Sequence, residues 1–370
     1  MKRFSAGLLV VAALIAGACG SKKLVVGVVL PETGPNNGYG ASLKAGIKLA
    51  FDDAVAKQSP KGIEAHYRDS FSHPEYAKKE TDDLFKAGAP IVIGGATSAE
   101  ARWMIPEAEK MNKVIISPSA SEPGLAASSN LFFRMCPPDD VEGVVAAGFV
   151  VSQRKARTIL VLYQKGLYGE GMLKVFKDQA TKLGAKITAE FPIGPTDWEQ
   201  PIGEALATGK PDAVFIGAFA EETLAALGVI RTAKFPGAIC VSSAFATGEV
   251  LRRAGALADG VSIPMVTYDS ASQNEPIKSF VARFKAANKG AAPDLFSAYG
   301  YDAATVVLQA LQGTRPKDTA ELLQRVMSQG ATQGVTGKLS FDSAGDTTNG
   351  LTMRCIRGGR FGDCPAAPAS

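Results

Sequence analysis

The sequence predicts an α/β protein of two units, each a parallel sheet with helices on both faces. Three observations carry the prediction. Continuous apolar runs such as LVVGVVL at residues 24–30 have the composition of strands buried on both sides. Helical patterns alternate with these runs, the arrangement that parallel strands and crossover helices require. The alternation halts at Cys136-Pro137-Pro138 and then restarts, so the chain crosses there from one unit to the next. A length of 370 residues, 46% hydrophobic and 21% charged, accommodates two such units.

The first strand is followed by PETGPNNGYGAS, whose glycines and asparagines permit sharp turns, with Tyr39 placed just before a helix predicted over 41–57. Leu43, Ile47, Ala50 and Ala54 recur at helical spacing and form its sheet-facing stripe. A strand at 63–68 and a helix at 74–87 come next, then strand 91–93, helix 98–111 and strand 114–116. Pro106 removes an internal hydrogen bond from that helix and is expected to kink it. Residues 131–135 give a further short strand before the crossing.

The second unit reads as helix 139–153, strand 158–163, helix 169–183, strand 186–190, helix 198–208, strand 213–217, helix 221–233 and strand 238–241. Past Pro264 come three helices, 276–289, 295–312 and 319–327, then strand-like pieces at 337–341 and 351–356. The proline-marked breaks suggest several crossings between two lobes, as in a hinged clamshell.

The segment IVIGGATSAEARWMIPEAEKMNKVIISPSAS, from Ile91 to Ser121, concentrates the chemistry. Two neighbouring strands end in hydroxyl-rich loops, one at Thr97 and Ser98, the other at Ser117 to Ser121. Open α/β sheets bind ligands beyond the carboxyl ends of their strands. A helix starting near Ser98 presents unpaired N–H groups and a positive dipole end, which suits a carboxylate. Each serine taken singly also has a plainer role, as a helix cap or as the brace of a proline-containing turn.

Net charge is +4, two of which are Lys2 and Arg3; nothing here calls for a nucleic-acid partner. The start MKRFSAGLLVVAALIAGAC has the basic end, short apolar run and small residues of a signal peptide, expected over 1–18. Ile15-Ala16-Gly17-Ala18-Cys19 resembles the bacterial lipobox, which makes Cys19 the expected lipid-bearing residue and 19–23 a linker. The body is then membrane-anchored outside the cytoplasm, where disulfides are permitted. Cys355 and Cys364 flank CIRGGRFGDC, a candidate bridged hairpin, although a Gly358-Gly359 turn sets them two positions out of direct register. Cys136 and Cys240 read as buried strand residues, and no cysteine or histidine pattern suits a metal. No cofactor is expected.

The stretches GVVLPETGPNNGYG, VIGGATSAE, VIISPSASEP, FFRMCPPDD, LYGEG, AYGYDAATVVLQAL and VTGKLSFDSAGD follow one another in an order that resembles the periplasmic leucine/isoleucine/valine-binding protein family, the type I solute-binding proteins of ABC transporters. The resemblance spans the chain after the signal. It implies two Rossmann-like lobes joined by three strands: 24–136 with 266–336, and 137–265 with 337–364, leaving 365–370 as a tail. It implies a small carboxylate ligand held by Ser98 and by Ser119, Ala120 and Ser121, within walls formed by Tyr39, Tyr168, Phe219 and Phe296. An ABC permease is the implied partner.

One departure bears on the ligand. Amino-acid binders of this family carry an acid after the strand that here ends near Val241, where it pairs with the ligand ammonium. This chain has Ser242-Ser243-Ala244-Phe245-Ala246, so Ser243 stands at the contact without a carboxylate. Burying an unpaired ammonium costs several kcal/mol, against about 1.5–3 kcal/mol gained from each charge-assisted hydrogen bond to the carboxylate. Glu221 or Glu222 is the candidate substitute; without one, a carboxylic acid lacking the amine is the better ligand class. Asp139-Asp140, like Asp52-Asp53 and Asp82-Asp83, reads as a pair of solvated helix positions.

Two other classes compete. An enzyme is disfavoured by the absence of GxSxG, HExxH and P-loop patterns and by a histidine content of His66 and His73 alone. A sensor or interaction lipoprotein on the same fold, such as a cell-wall synthase activator, shares every fold-level signal. Retained hydroxyls and aromatics at the cleft positions favour the ligand binder.

Overall fold

The computed structural model describes residues 23–194 and 196–365. The expected signal peptide, Cys19 and most of the tail lie outside these residues. Strands β1 (Leu24–Leu30), β2 (Ile63–Asp69), β3 (Ile91–Gly94), β4 (Val114–Ser117) and β5 (Phe132–Arg134) form one sheet in the order β2-β1-β3-β4-β5. Every pairing in it is parallel. A second sheet holds β6 (Thr158–Gln164), β7 (Lys186–Ile193), β8 (Ala213–Gly217), β9 (Ala238–Val241), β10 (Ser262–Met265), β11 (Thr352–Arg357) and β12 (Arg360–Asp363) in the order β12-β11-β10-β9-β8-β6-β7. It is parallel from β7 to β10, and antiparallel from β10 through β12. The α/β fold of two largely parallel lobes is therefore as the sequence predicts.

Helices α1 (Asn37–Lys57), α2 (Pro74–Lys86) and α3 (Ser98–Met111) connect the first strands, and α4 (Asp139–Gly148) follows the crossing. The second sheet is wrapped by α5 (Leu167–Lys182), α6 (Glu199–Gly209), α7 (Ala220–Thr232) and α8 (Gly248–Ala254). The chain then returns: α9 (Ile277–Ala287), α10 (Leu295–Ala310) and α11 (Thr319–Met327) belong to the first lobe, where α10 lies along α1. The two helices meet almost backbone to backbone. A Cβ on Gly46 would stand 1.9 Å from the Ser297 carbonyl oxygen, and one on Gly300 would stand 2.3 Å from that of Leu43, so only glycine fits at either place.

The chain crosses between the sheets after β5, after β10, and again before β11. In the last crossing Phe341 packs edge-to-face on Phe133, and the Arg134 N–H donates to the Gly345 carbonyl at 3.0 Å. Residues 341–346, expected with the second lobe, thus rest against the first sheet. Asp302 of α10 anchors the same region by accepting from the Val335 N–H, the Thr336 N–H and the Thr336 hydroxyl at 2.7–2.9 Å.

Several expectations need correction. α1 begins at Asn37, so Tyr39 lies in its first turn instead of the preceding loop. α3 spans Ser98–Met111 with Pro106 inside it, which are the bounds expected. Helix 139–153 is α-helical only to Gly148; five residues of wider π-type turn follow. Residues 337–341 make isolated bridges and no strand, whereas β10 forms although it contains Pro264. Proline is tolerated there because the pairing of β10 with β9 occurs at Ser262. Cys355 and Cys364 are disulfide-bonded with Cα atoms 4.8 Å apart, within the range such a bridge needs. The β11–β12 register places Cys355 opposite Gly362, two positions short of Cys364, as the Gly358-Gly359 turn implies. Cys136 and Cys240 are free and buried.

Candidate functional site

Between the lobes lies a small cavity with a free volume of about 30 Å³. The first lobe contributes Tyr39, Ala96, Thr97, Ser98, Ser119, Ser121, Phe296 and Tyr299; the facing wall has Glu142, Tyr168, Phe219, Ser243 and Ala244. Of the expected site residues, all but Ala120 line it. Ala120 is fully buried behind the loop, its N–H donating to the Ser117 hydroxyl at 2.9 Å.

The two hydroxyl loops are stitched to each other. Ser117 Oγ donates to the Gly95 carbonyl at 2.8 Å, Ser119 Oγ donates to the Ala96 carbonyl at 2.7 Å, and Ser98 Oγ accepts from the Glu122 N–H at 3.1 Å. The hydroxyl proton of Ser119 is thus committed to holding the loop. Thr97, not Ser98, caps α3: its hydroxyl accepts from the Glu100 N–H while the Glu100 carboxylate accepts from the Thr97 N–H, a reciprocal capping box. Ser98 is consequently the first helical residue, where N–H groups have no intrahelical acceptor and the dipole is positive. Behind the second loop, buried Arg134 donates to the Ala120 and Glu122 carbonyls at 3.3 and 2.7 Å and pairs with Asp346. A fixed cation therefore braces the loop from below.

Aromatic rings from both lobes complete the lining. Tyr168 and Phe219 stack with centroids 5.0 Å apart, and Tyr39 meets Phe219 and Phe296 edge-on at 5.7 and 4.7 Å. Such contacts contribute about 0.5–1.5 kcal/mol each beyond area burial. The Tyr39 hydroxyl donates to the Ala244 carbonyl and accepts from the Ala220 N–H, so it joins α1 to two loops of the other lobe.

The acid that the sequence appeared to lack is present, on a different element. Glu142 of α4 is buried, lines the cavity, and accepts from both the N–H and the hydroxyl of Ser243 at 2.6 Å each. Glu221 instead pairs with Arg253 at an exposed site, and Glu222 accepts from Gln164 at 3.4 Å; neither lines the cavity. Asp139 is also fully buried, a correction to its expected solvated role, whereas Asp140 is exposed. Burial pushes the Glu142 carboxyl up to about 7 against the lowering effect of the Ser243 bonds. Burial, then the charge of Glu142, holds Asp139 well above the usual carboxylate range. A readable signal existed: Asp139, Glu142, Gly143, Ala146 and Ala147 share one helical face, while Val141 and Val144 fall on the exposed one. The small residues mark the packed side, and Gly143 lets α4 approach Val175 of α5 closely.

A cleft between two lobes built on largely parallel sheets, lined by serine hydroxyls and a carboxylate beside aromatic rings, is the form of a bilobed solute-binding protein. The family profile for periplasmic binding proteins matches residues 23–362, and the chain belongs to that family. Curated relatives include Leu/Ile/Val-binding protein homolog 1 of Brucella abortus, 26% identical over 360 residues and covering 93% of each chain. The leucine-, isoleucine-, valine-, threonine-, and alanine-binding protein of Pseudomonas aeruginosa is 25% identical and covers 86% of each. Among solved structures, the LivJ substrate-binding protein of Streptococcus pneumoniae in complex with isoleucine has a TM-score of 0.85 at 23% identity, covering 92% of this chain and 98% of that one. A solute-binding protein of R. palustris in complex with benzoate has a TM-score of 0.83 at 22% identity, covering 94% and 98%. These two share the fold. The chain is thus a solute-binding protein of the periplasmic binding protein family. Among the described residues no helix is long and apolar enough to cross a membrane.

Proposed function

We propose that this protein captures a small carboxylate-bearing solute in the interlobe cavity and presents it, from a lipid anchor at Cys19, to an ABC permease. The observation that carries this reading is the pair of stitched hydroxyl loops at the start of α3. Ser98 and Ser121 face the cavity there, beside the positive end of the helix and above the Arg134 brace. The ligand carboxylate docks on these loops, and Tyr168 and Phe219 close over it with the second lobe. Closure requires that the ligand bind the closed pair of lobes better than the open pair. Relatives named for leucine, isoleucine and valine, and a structural neighbour holding benzoate, support a small organic carboxylate. Four serines and Glu142 line the cavity beside its aromatic rings, and these polar groups favour a ligand binder over an interaction lipoprotein.

The test is a thermal-shift titration of the domain lacking residues 1–19 with leucine, phenylalanine, their deaminated acids and benzoate. A true ligand raises the melting temperature with concentration. No shift with any of the five would overturn the reading.

A further inference from the structure

The strands of the first sheet run parallel, so the ends that meet the cavity are all carboxyl ends and the amino ends share the opposite pole of that lobe. That pole is basic. Exposed Lys23 precedes β1, exposed Lys61 precedes β2 beside it, and half-buried Lys113 precedes β4. Lys57 and Lys86 end α1 and α2 on the same side. The loop from α10 to α11 joins them: Arg315 donates to the Lys23 carbonyl at 3.2 Å, Thr319 to the Asn112 carbonyl at 2.7 Å, and Gln312 to the Ser59 hydroxyl at 2.8 Å. Lys113, Arg315 and Lys317 line a hollow of about 150 Å³ there.

Acids at this pole are engaged. Glu64 pairs with Lys23, Asp82 with Lys86 and Lys110, and Glu321 with Arg325, while Asp318 caps α11 by accepting from the Glu321 N–H. Glu109, one turn before Lys113, offsets one further charge. Lys57, Lys61 and Lys113 have no ion pair among the described residues. The expected tether brings this pole to the membrane. Lys23 lies four residues after Cys19, and an extended chain spans at most about 3.6 Å per residue, so a lipid on Cys19 holds Lys23 within about 15 Å of the bilayer. That reach is comparable with the distance of about 8–10 Å over which salt screens a charged surface.

We propose that the basic pole of the first lobe docks on anionic phospholipid headgroups, so that the protein rests on that pole with its ligand cleft turned away from the bilayer. This rests on the Cys19 anchor proposed above. Each lysine held near an anionic surface adds attraction, and an acyl chain joined to a basic patch holds a protein more stably than either alone. The second sheet also has exposed lysines ahead of its strands, Lys155 before β6 and Lys210 before β8. No tether attaches at that lobe, so the same chemistry there is not brought to the surface.

The experiment is lysine acylation read by mass spectrometry. The protein is purified from the membranes of a bacterial host and reconstituted in vesicles of equimolar phosphatidylglycerol and phosphatidylcholine, or of phosphatidylcholine alone, at low and high salt. The mass of the Cys19 peptide reports the lipid. On the anionic vesicles at low salt, modification of Lys61 and Lys113 is expected to slow about fivefold or more, the factor that one lysine's attraction to an anionic surface represents. High salt is expected to abolish the protection, and Lys155 and Lys210 to react equally on both kinds of vesicle. In Lys61→Glu combined with Lys113→Glu, the protection of Lys57 is expected to disappear, with the melting temperature as the fold control. On a protein that bears the lipid, equal reactivity of Lys61 and Lys113 on both vesicles would overturn the docking alone. Protection of Lys155 and Lys210 in their place would do the same. A Cys19 without lipid would overturn both the anchor and the docking.

Discussion

The phenol of Tyr39 donates to the Ala244 carbonyl at 2.9 Å across the cleft, from the first turn of α1 to the loop after β9. The same oxygen accepts from the Ala220 N–H at 2.8 Å. Two backbone groups of one lobe therefore bond to one side chain of the other. Tyr39→Phe keeps the ring contacts with Phe219 and Phe296 and removes only the bonds. With about 1–1.5 kcal/mol at stake, ligand affinity is expected to fall about tenfold. Calorimetry, with X-ray scattering to follow lobe separation, checks this.

Ser98→Ala combined with Ser121→Ala removes both cavity-facing hydroxyls while leaving Thr97 to cap α3. Ligand stabilisation is expected to disappear, and the ligand-free melting temperature to stay within a few degrees of wild type. Unchanged affinity would remove the site from these loops.

Asp346→Ala strips the buried Arg134 of its counter-charge. Leaving a buried cation unpaired is expected to cost about 3 kcal/mol of stability, read by urea unfolding. Because Arg134 also holds the Ala120 and Glu122 carbonyls, ligand affinity should weaken in the same variant. Ser98 and Ser121 remain intact in it, which separates bracing from contact.

Glu142 gives the ligand-free protein a pH signature. Its folded carboxyl is raised from the ordinary 4.5 to about 7, so the folded state holds the proton more tightly than the unfolded chain. Its contribution to stability is then fully present below about pH 4.5 and lost as pH rises through 7. Between pH 5 and 8 the wild type is expected to lose melting temperature relative to Glu142→Gln. Parallel curves would show that the carboxyl is not raised.

Gly300→Ala places a methyl 2.3 Å from the Leu43 carbonyl oxygen. The helices must separate, at a cost of about 1–3 kcal/mol, and chemical denaturation should show it without loss of the second lobe's disulfide.

The fold was legible because most strands of the parallel stretches are short apolar runs followed by a helical pattern; α11 was read to the residue. β10 was not legible, since Pro264 argues against a strand and the local ladder that excuses it is set by β9 and β11. In the site, Ser98, Ser119 and Ser121 could be named from the hydroxyls at two strand ends. Glu142 could not be named by looking after β9, because its partner Ser243 lies 101 residues away. Only the spacing of Asp139 and Glu142 on the small-residue face of α4 carried that information.

The contact between α1 and α10 also sets a timetable. Ser42 of α1 donates to Asp294, the residue that caps α10, across 252 residues of chain. Forming a contact so distant in sequence must wait for its loop to close, and this slows folding. The amino-terminal lobe thus cannot finish until the last third of the polypeptide has been made. Glycine at 46 and 300 is what makes that late closure tight.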